Sequence, residues 1–443
     1  MKISFQTILL VIFGFFIVFG VAVFAGYINI GSSSSKTSGP AGTVLMWGTV
    51  NRRIMESFFV AAAVQTDGIK INYVEKNPAT YESELVAAFA SAVGPDIFMV
   101  TPEILWKQRD KMYEIPYKNY PIQNYTSSYM DVAKAYLTPT GILAFPLFYD
   151  PLVGYWNKDI FASAGMATPP KEWKEFPEVT KKIAVVTNDY QVERSAFALG
   201  EYTNIRHAKD ILSMLFLQAG DPITHVNADK ELVIDLGRNP DNSKIRPAVA
   251  ALDFYTQFAN PTKQGVYNWN KSFASDYDQF LAGDLAYYFG SGSELATIRR
   301  ANPNLNFDMA FPPQADFNSS KTTVGSLYGV AVSKQSKNLG LAYYVTGDMV
   351  YGPKNTIFLT GLQKAGLTVG PVRRDSVPND PSNIYAPVLY QSALVGKTWI
   401  DPNTTFTSDV WRAMVGDVQS GKSTSGEAVA DAIRKMTAYL KAR

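Results

Sequence analysis

The chain contains no cysteine. That excludes disulfides, thiolate nucleophiles, cysteine-ligated zinc or iron–sulfur centres, and a lipid-modified cysteine anchor. Histidine is nearly as scarce. His207 and His225 are the only two in 443 residues, with no His-Glu-x-x-His zinc pattern and no Gly-x-Ser-x-Gly nucleophile turn. Neither sign of charge dominates: lysine and arginine number 41 against 39 aspartates and glutamates. There is thus no basic field for nucleic acid and no acidic tail. Hydrophobic residues make up 47%, enough for a globular chain to bury a core, and the length allows two or three domains.

What is present begins with a long apolar run. No charged residue occurs from Ile3 to Ser35, and Ile8 to Ile30 is almost continuously apolar. A helix of these residues would be about 35 Å long, enough to cross a ~30 Å hydrocarbon core. Residues 1–30 are expected to form an uncleaved transmembrane anchor. The alternative is a signal peptide cleaved near Ala25, although secretory apolar segments usually span only about 7–15 residues. Both readings place the body on the extracytoplasmic side of the membrane. The tract GSSSSKTSGPAG, residues 31–42, then reads as a flexible tether with a reach of about 20 Å.

From Thr43 onward, short apolar strands alternate with amphipathic helices. TVLMW and DIFMV read as buried strands. Between them, YESELVAAFASAV puts Tyr81, Leu85, Ala88, Phe89 and Ala92 on one helical face and stops at Gly94-Pro95. This rhythm predicts an α/β domain with a largely parallel sheet, whose ligands sit beyond the carboxyl ends of the strands. A second α/β rhythm follows. KDILSMLFLQAG is a helix ended by Gly220, a further helix ends at Gly283, a strand covers 285–289, and NLGLAYYVTGDMV is a helix ended by Gly352. In YWNKDIFASAGMATPPKEW, a strand end leads to a short helix capped by Asp159 and stopped by Gly165 before Pro169-Pro170.

Two stretches imitate nucleotide sites. GDVQSGKS, from Gly416 to Ser423, fits the phosphate-loop spacing, but that motif needs a preceding strand and the residues before it read as helix. A polar turn between helices is the better account. GSGSEL, from Gly290 to Leu295, follows a strand and opens a helix but lacks the third glycine of a dinucleotide fingerprint. A helix start offering N–H groups to a ligand's oxygens fits it better. A carboxylate pair for glycoside hydrolysis could be sought among Asp150, Asp276 and Asp278, yet no spacing brings them together, and exposed helix faces usually carry such residues.

Aromatics are abundant: 25 tyrosines, 26 phenylalanines and 7 tryptophans. A sugar site needs aromatic planes against C–H faces and planar polar side chains for hydroxyls. Trp47, Tyr149, Trp269, Tyr328 and Trp399 lie near predicted strand ends or in loops, several beside Asp, Asn, Ser or Thr. Each alone is more simply a core residue.

Five stretches in order carry a family resemblance. GILAFPLFYDPLVGYWNKDIFASAGMATPPKEW, YESELVAAFASAVGPDIFMV, FLAGDLAYYFGSGS, GSLYGVAVSKQSKNLGLAYYV and VQSGKSTSGEAVADA resemble the signatures of family 1 extracellular solute-binding proteins, the maltose-binding-like group serving carbohydrate ABC transporters. The resemblance runs from about Thr43 to the C-terminus. It implies a two-lobe periplasmic-binding-protein-like fold with a hinge, one lobe from 43–149 and 326–371, the other from 150–325 and 372–443. The first crossing would fall near Phe148 to Pro151. By position, the implied ligand contacts are Gly48, Thr49, Thr101, Tyr149, Asp150, Asn204, His207, Gly290, Ser291, Ser293 and Tyr328, to which the aromatic reading adds Trp47, Trp269 and Trp399. Ser293 stands where the family often has an aromatic residue, and Glu172 where it often has a threonine. The expectation is a monomeric binding protein, not an enzyme. It would need no cofactor or metal, take a sugar or oligosaccharide, and deliver it to ABC permease subunits. A non-sugar solute (polyamine or peptide) and a sensing ectodomain without transport are the alternatives.

Overall fold

The computed structural model describes residues 41–227, 229–238, 246–316, 320–376 and 383–442. The expected anchor, residues 1–30, and the tether up to residue 40 lie outside the described residues. Among those described, no helix is long and apolar enough to cross a membrane.

The main sheet is built from β1 (Gly42–Gly48), β2 (Ile69–Glu75), β3 (Ile97–Val100), β4 (Phe145–Asn157), β5 (Val192–Phe197), β6 (Leu285–Ser291), β7 (Phe307–Ala310) and β8 (Thr323–Val332). Their order is β2–β1–β3–β8–β4–β6–β5, with β7 also on β4. Around them stand α1 (Tyr81–Ala90), α2 (Pro102–Gln108), α3 (Lys158–Ser163), α4 (Ala208–Gln218), α5 (Leu339–Met349), α6 (Gly352–Lys364), α7 (Thr404–Gln419) and α8 (Ser425–Lys441). β1 pairs parallel with β2 and β3, whereas β3–β8, β8–β4 and β4–β6 are antiparallel. The sheet is therefore mixed, not largely parallel. β4 carries the chain from one half of the molecule to the other and β8 brings it back, so the two must run in opposite senses.

β4 is the spine. Its 13 residues reach about 40 Å, all of them buried but for the partly buried Asp150. Phe145 to Pro151 pair with β8, and Leu152 to Trp156 pair with β6. The hydrophobic core divides at the same place. One cluster runs from Val44 to Tyr149 and from Leu327 to Val372, with Ala393; the other runs from Leu152 to Val324 and takes Tyr385, Leu389 and buried residues from Val410 to Met436. A third strand-like link adjoins them, because Gly370 exchanges both backbone hydrogen bonds with Tyr149, at 2.7 and 3.0 Å. Close approach at the crossing demands Gly325: a Cβ there would stand 2.3 Å from the Asp150 carbonyl oxygen and 2.7 Å from Pro151 Cα.

Local signals hold with three changes. The cap of α3 is Asn157, whose Oδ1 accepts from the N–H groups of Asp159 and Ile160 at 3.0 and 3.1 Å, so Asp159 lies in the first turn instead. Gly165, Gly220 and Gly283 do take left-handed conformations just past their helices. α5 ends at Met349, and Gly352 opens α6, with Pro353 in its first turn where a missing N–H costs nothing. Ala92 lies exposed beyond the end of α1, which buries Tyr81, Leu85, Ala88 and Phe89. GDVQSGKS covers the last turn of α7 and the link that leads into α8, where Thr424 and Glu427 make a capping box.

Candidate functional site

Beside the crossing lies a cavity of about 280 Å³, lined from the first half by Thr49, Thr101, Phe148 and Tyr328, and from the second by Ser293, with Asp150 at the changeover. Thr49 follows β1 and Thr101 follows β3, the strand ends at which an α/β sheet presents its ligands. Tyr81 of α1 braces both ends, its hydroxyl donating to Met99 O at 2.8 Å and Trp47 O at 3.3 Å. Phe148 and Tyr328 stack at 4.6 Å and 14°, a flat aromatic wall made where β4 meets β8.

Asp150 supplies the charge. Its Oδ1 accepts from Ser293 N–H at 3.0 Å and its Oδ2 from the Ser293 hydroxyl at 2.6 Å. The N–H that GSGSEL was expected to offer a ligand is thus already met by the chain's own carboxylate. Burial pushes the Asp150 carboxyl up to about 6, against the opposing Ser293 hydrogen bonds. A carboxyl with a raised folded pKa contributes stability that is fully present below its unfolded value, 3.8, and is lost as pH rises through about 6. Asp150→Asn keeps both contacts without the charge. We expect it to stabilise the protein by about 2 kcal/mol at pH 8 and to have no effect at pH 4. Urea melts at the two pH values check this, and an equal shift at both would refute the electrostatic cause.

Behind Ser293, Glu294 holds His207 Nε2 at 2.6 Å and accepts from the Tyr288 hydroxyl at 2.6 Å, with the Arg206 guanidinium 3.7 Å away. Asp210 takes the other imidazole nitrogen at 2.9 Å. Burial opposes a charge on His207, but hydrogen bonds to Asp210 and Glu294 outweigh it and raise its pKa to about 10. Burial likewise opposes a charge on Glu294, yet His207 and Tyr288 hold its carboxyl below the usual range. Both imidazole nitrogens of His207, expected as a ligand contact, are thus occupied by the chain's own carboxylates.

A second cavity of about 220 Å³ adjoins α2 and contains Glu103 from the first half, Ser326 at the crossing, and Lys209, Trp399 and Asp401 from the second. The half-buried Trp399 lies against Trp411 at 5.5 Å and 12°, donating its Nε1–H to Ser213 Oγ at 3.0 Å. Lys209 pairs with Asp401, and burial raises the Glu103 carboxyl. Glu103, Lys209 and Asp401 were missed. Glu103 follows Thr101 by two residues and could have been found from the strand-end rule; Lys209 and Asp401 meet only in three dimensions.

The structure thus gathers Thr49, Thr101, Asp150, Ser293 and Tyr328 around one cavity and puts Trp399 in its neighbour. Others serve as framework. The half-buried Trp47 lies under the Lys76 ammonium at 3.7 Å. Gly48 is packed so closely that a Cβ would meet Met99 Sδ at 2.5 Å. Gly290 pairs with Val153 inside the sheet, and the carbonyl of Ser291 accepts from the Tyr155 hydroxyl at 2.8 Å. Three expected ligand contacts, Tyr149, Trp269 and Asn204, are engaged within the fold. Tyr149 is fully buried at the crossing, its hydroxyl spent on Lys397 O at 3.2 Å. Trp269 is 0% exposed and donates to Asn204 Oδ1 at 3.2 Å, while Asn204 Nδ2 donates to Asn270 O at 2.9 Å. That pair holds a loop together inside the second core. The sought carboxylate pair does not form at the cavity: Asp276 accepts from Arg206 N–H, and Asp278 bonds Ser275 at the start of the helix 276–282. No cluster able to hold a metal ion occurs among the described residues.

Solved structures share this architecture. The sugar-binding protein MalE of Xanthomonas citri superposes with a TM-score of 0.71 over 91% of this chain and 98% of its own, at 17% identity. A cyclo/maltodextrin-binding protein complexed with maltotetraose gives 0.71 over 92% and 99%, at 14% identity. An ABC substrate-binding protein of Listeria monocytogenes in complex with cycloalternan gives 0.64 over 90% and 99%, at 16% identity. No functionally curated protein matches the chain significantly in sequence. The family described as bacterial extracellular solute-binding protein matches residues 59–344. With that match over more than half its length and a two-core fold joined through β4 and β8, the chain belongs to the bacterial extracellular solute-binding proteins.

Proposed function

We propose that this protein is the substrate-binding component of an ABC importer, that it takes a sugar or small oligosaccharide, and that it holds the ligand between two lobes that close upon it. The observation that carries this reading is the cavity at the crossing, where one carboxylate, two threonines and the Phe148–Tyr328 wall converge from segments belonging to both cores. A stacked aromatic plane beside hydroxyl and carboxylate partners is the chemistry a pyranose requires. The lobes divide as 43–149 with 326–371, and 150–325 with 372–443. A ligand touching both favours the closed state by its differential contacts, with no covalent step. Anchoring through residues 1–30 would keep the body near its permease and raise its effective concentration there. Glu103 and Asp150 favour one competing reading, a polyamine or peptide amine paired with these carboxylates.

A thermal-shift panel of saccharides, polyamines and short peptides separates the two readings. A ligand at a hundred times its Kd adds about 2.7 kcal/mol to stability, and small-angle scattering with that ligand should show a smaller radius of gyration. A response to amines alone would discard the sugar, and a saccharide that binds without compaction would discard closure.

A further inference from the structure

A third cavity, of about 370 Å³, shares no lining residue with the two at the crossing and is lined by residues between 120 and 145 and between 343 and 373, beside the first core. The buried Phe145 and Tyr129 line it together with Tyr120, Tyr343, Tyr344 and Tyr351. Tyr344 and Tyr351 are 45% and 63% exposed. The hydroxyls of Tyr343, Tyr344 and Tyr351 have no hydrogen-bond partner among the described residues. Within α5, Tyr344 and Asp348 are four residues apart and so share one face, and Tyr351, just before α6, lines the same cavity.

Gly347 lies among them with nothing within 4 Å of the place a Cβ would occupy. Glycine weakens a helix relative to alanine, and no internal contact requires it here; what it leaves open is the cavity. Two charged groups complete the walls. Arg373 is held by Asp375 at 2.8 and 2.9 Å with its guanidinium 5.2 Å from the Tyr129 ring. Asp348 spends one oxygen on Lys354 at 2.6 Å.

We propose that this tyrosine-walled cavity is a second saccharide site, separate from the cleft. Exposed aromatic faces suit the C–H face of a pyranose, while unengaged tyrosine hydroxyls and the second Asp348 oxygen suit its hydroxyl edge. The volume falls in the range of small-molecule sites. An aromatic pocket can also hold a quaternary ammonium; protection by choline alone would mark it as such a site. The inference does not rest on the cleft binding a sugar.

Tyrosine nitration of the full chain by tetranitromethane, read by peptide mass spectrometry at Tyr344 and Tyr351, tests it with maltotriose, mannotriose and choline chloride as probes. A saccharide is expected to slow nitration at both residues at least threefold. Gly347→Leu should abolish that protection without lowering the melting temperature, each variant being compared with its own unliganded rate. Tyr328→Ala, which alters only the cleft wall, should leave the protection intact. The proposal is overturned by absence of protection with both saccharides, by protection with choline alone, or by protection that survives Gly347→Leu. Loss of protection in Tyr328→Ala would overturn it too, since the effect would then originate in the cleft.

Discussion

Replacing Glu294 by alanine is expected to cost about 3 kcal/mol at pH 6, because it leaves the buried His207 imidazolium with Asp210 alone and strands the Tyr288 hydroxyl. Glu294→Gln can keep an acceptor toward His207 and a donor toward Tyr288, so it should cost only about half as much. The pH dependence identifies the cause. His207 has a raised folded pKa of about 10 against an ordinary 6.5, so its contribution is complete below 6.5 and declines to nothing as pH climbs through 10. Glu294 has a lowered pKa against an ordinary 4.5, so its contribution is present above 4.5 and lost as pH falls through its folded value. The gap between wild type and Glu294→Ala should thus be widest between about pH 4.5 and 6.5 and should shrink on either side. Removing both partners together, as in His207→Leu with Glu294→Leu, should recover part of the loss, since the buried imidazolium goes with its partner and only the Tyr288 hydroxyl and the half-exposed Asp210 are left without theirs. Urea melts across pH measure all four proteins, and a pH-independent gap, or a double variant no better than the single, would contradict the account.

Asn268→Leu should be comparably severe, at about 4 kcal/mol. The side chain is 0% exposed, and its Oδ1 accepts three hydrogen bonds: from the Ser195 hydroxyl at 2.9 Å, Ala196 N–H at 3.0 Å and Phe197 N–H at 2.8 Å. Its Nδ2 donates to Val266 O at 2.8 Å. Leucine fills similar space but orphans these groups where water cannot replace it, and each stranded group costs about 1–3 kcal/mol. Ser195→Ala removes one donor and should cost about 1 kcal/mol. A melting temperature for Asn268→Leu within about 2 °C of wild type would show that the end of β5 is held by other means.

Asn268 also shows where sequence reading went astray. Its neighbour Trp269, flanked by asparagines, looks like a sugar platform, but the Trp269 indole is bonded to Asn204 and stacked on Phe273 at 4.7 Å inside the second core. An aromatic residue beside polar ones has the same local appearance in a cleft and in a loop folded inward. Only the partner tells them apart, and Asn204 lies 65 residues away. Ser293 and Asp150 repeat the lesson. Each was singled out, but the carboxylate that meets the Ser293 N–H comes from 143 residues earlier in the chain. The placement of Thr49 and Thr101, by contrast, follows from strand ends alone, because apolar runs mark where strands stop.

What the sequence by itself determined is therefore local: the strand runs, the helices and their glycine stops, the exclusion of thiol chemistry, and the order of motifs that pointed to a family of solute-binding proteins. These depend on side-chain periodicity and backbone preferences within a few residues. What only the tertiary structure decided is which residues meet. Crossing strands β4 and β8 bring Asp150 beside Ser293, and Phe148 against Tyr328. Helices α4 and α7 seat Trp399, which bonds Ser213 of the first and packs on Trp411 of the second. Such contacts join segments up to about two hundred residues apart, and burial and charge there depend on the neighbours that folding supplies.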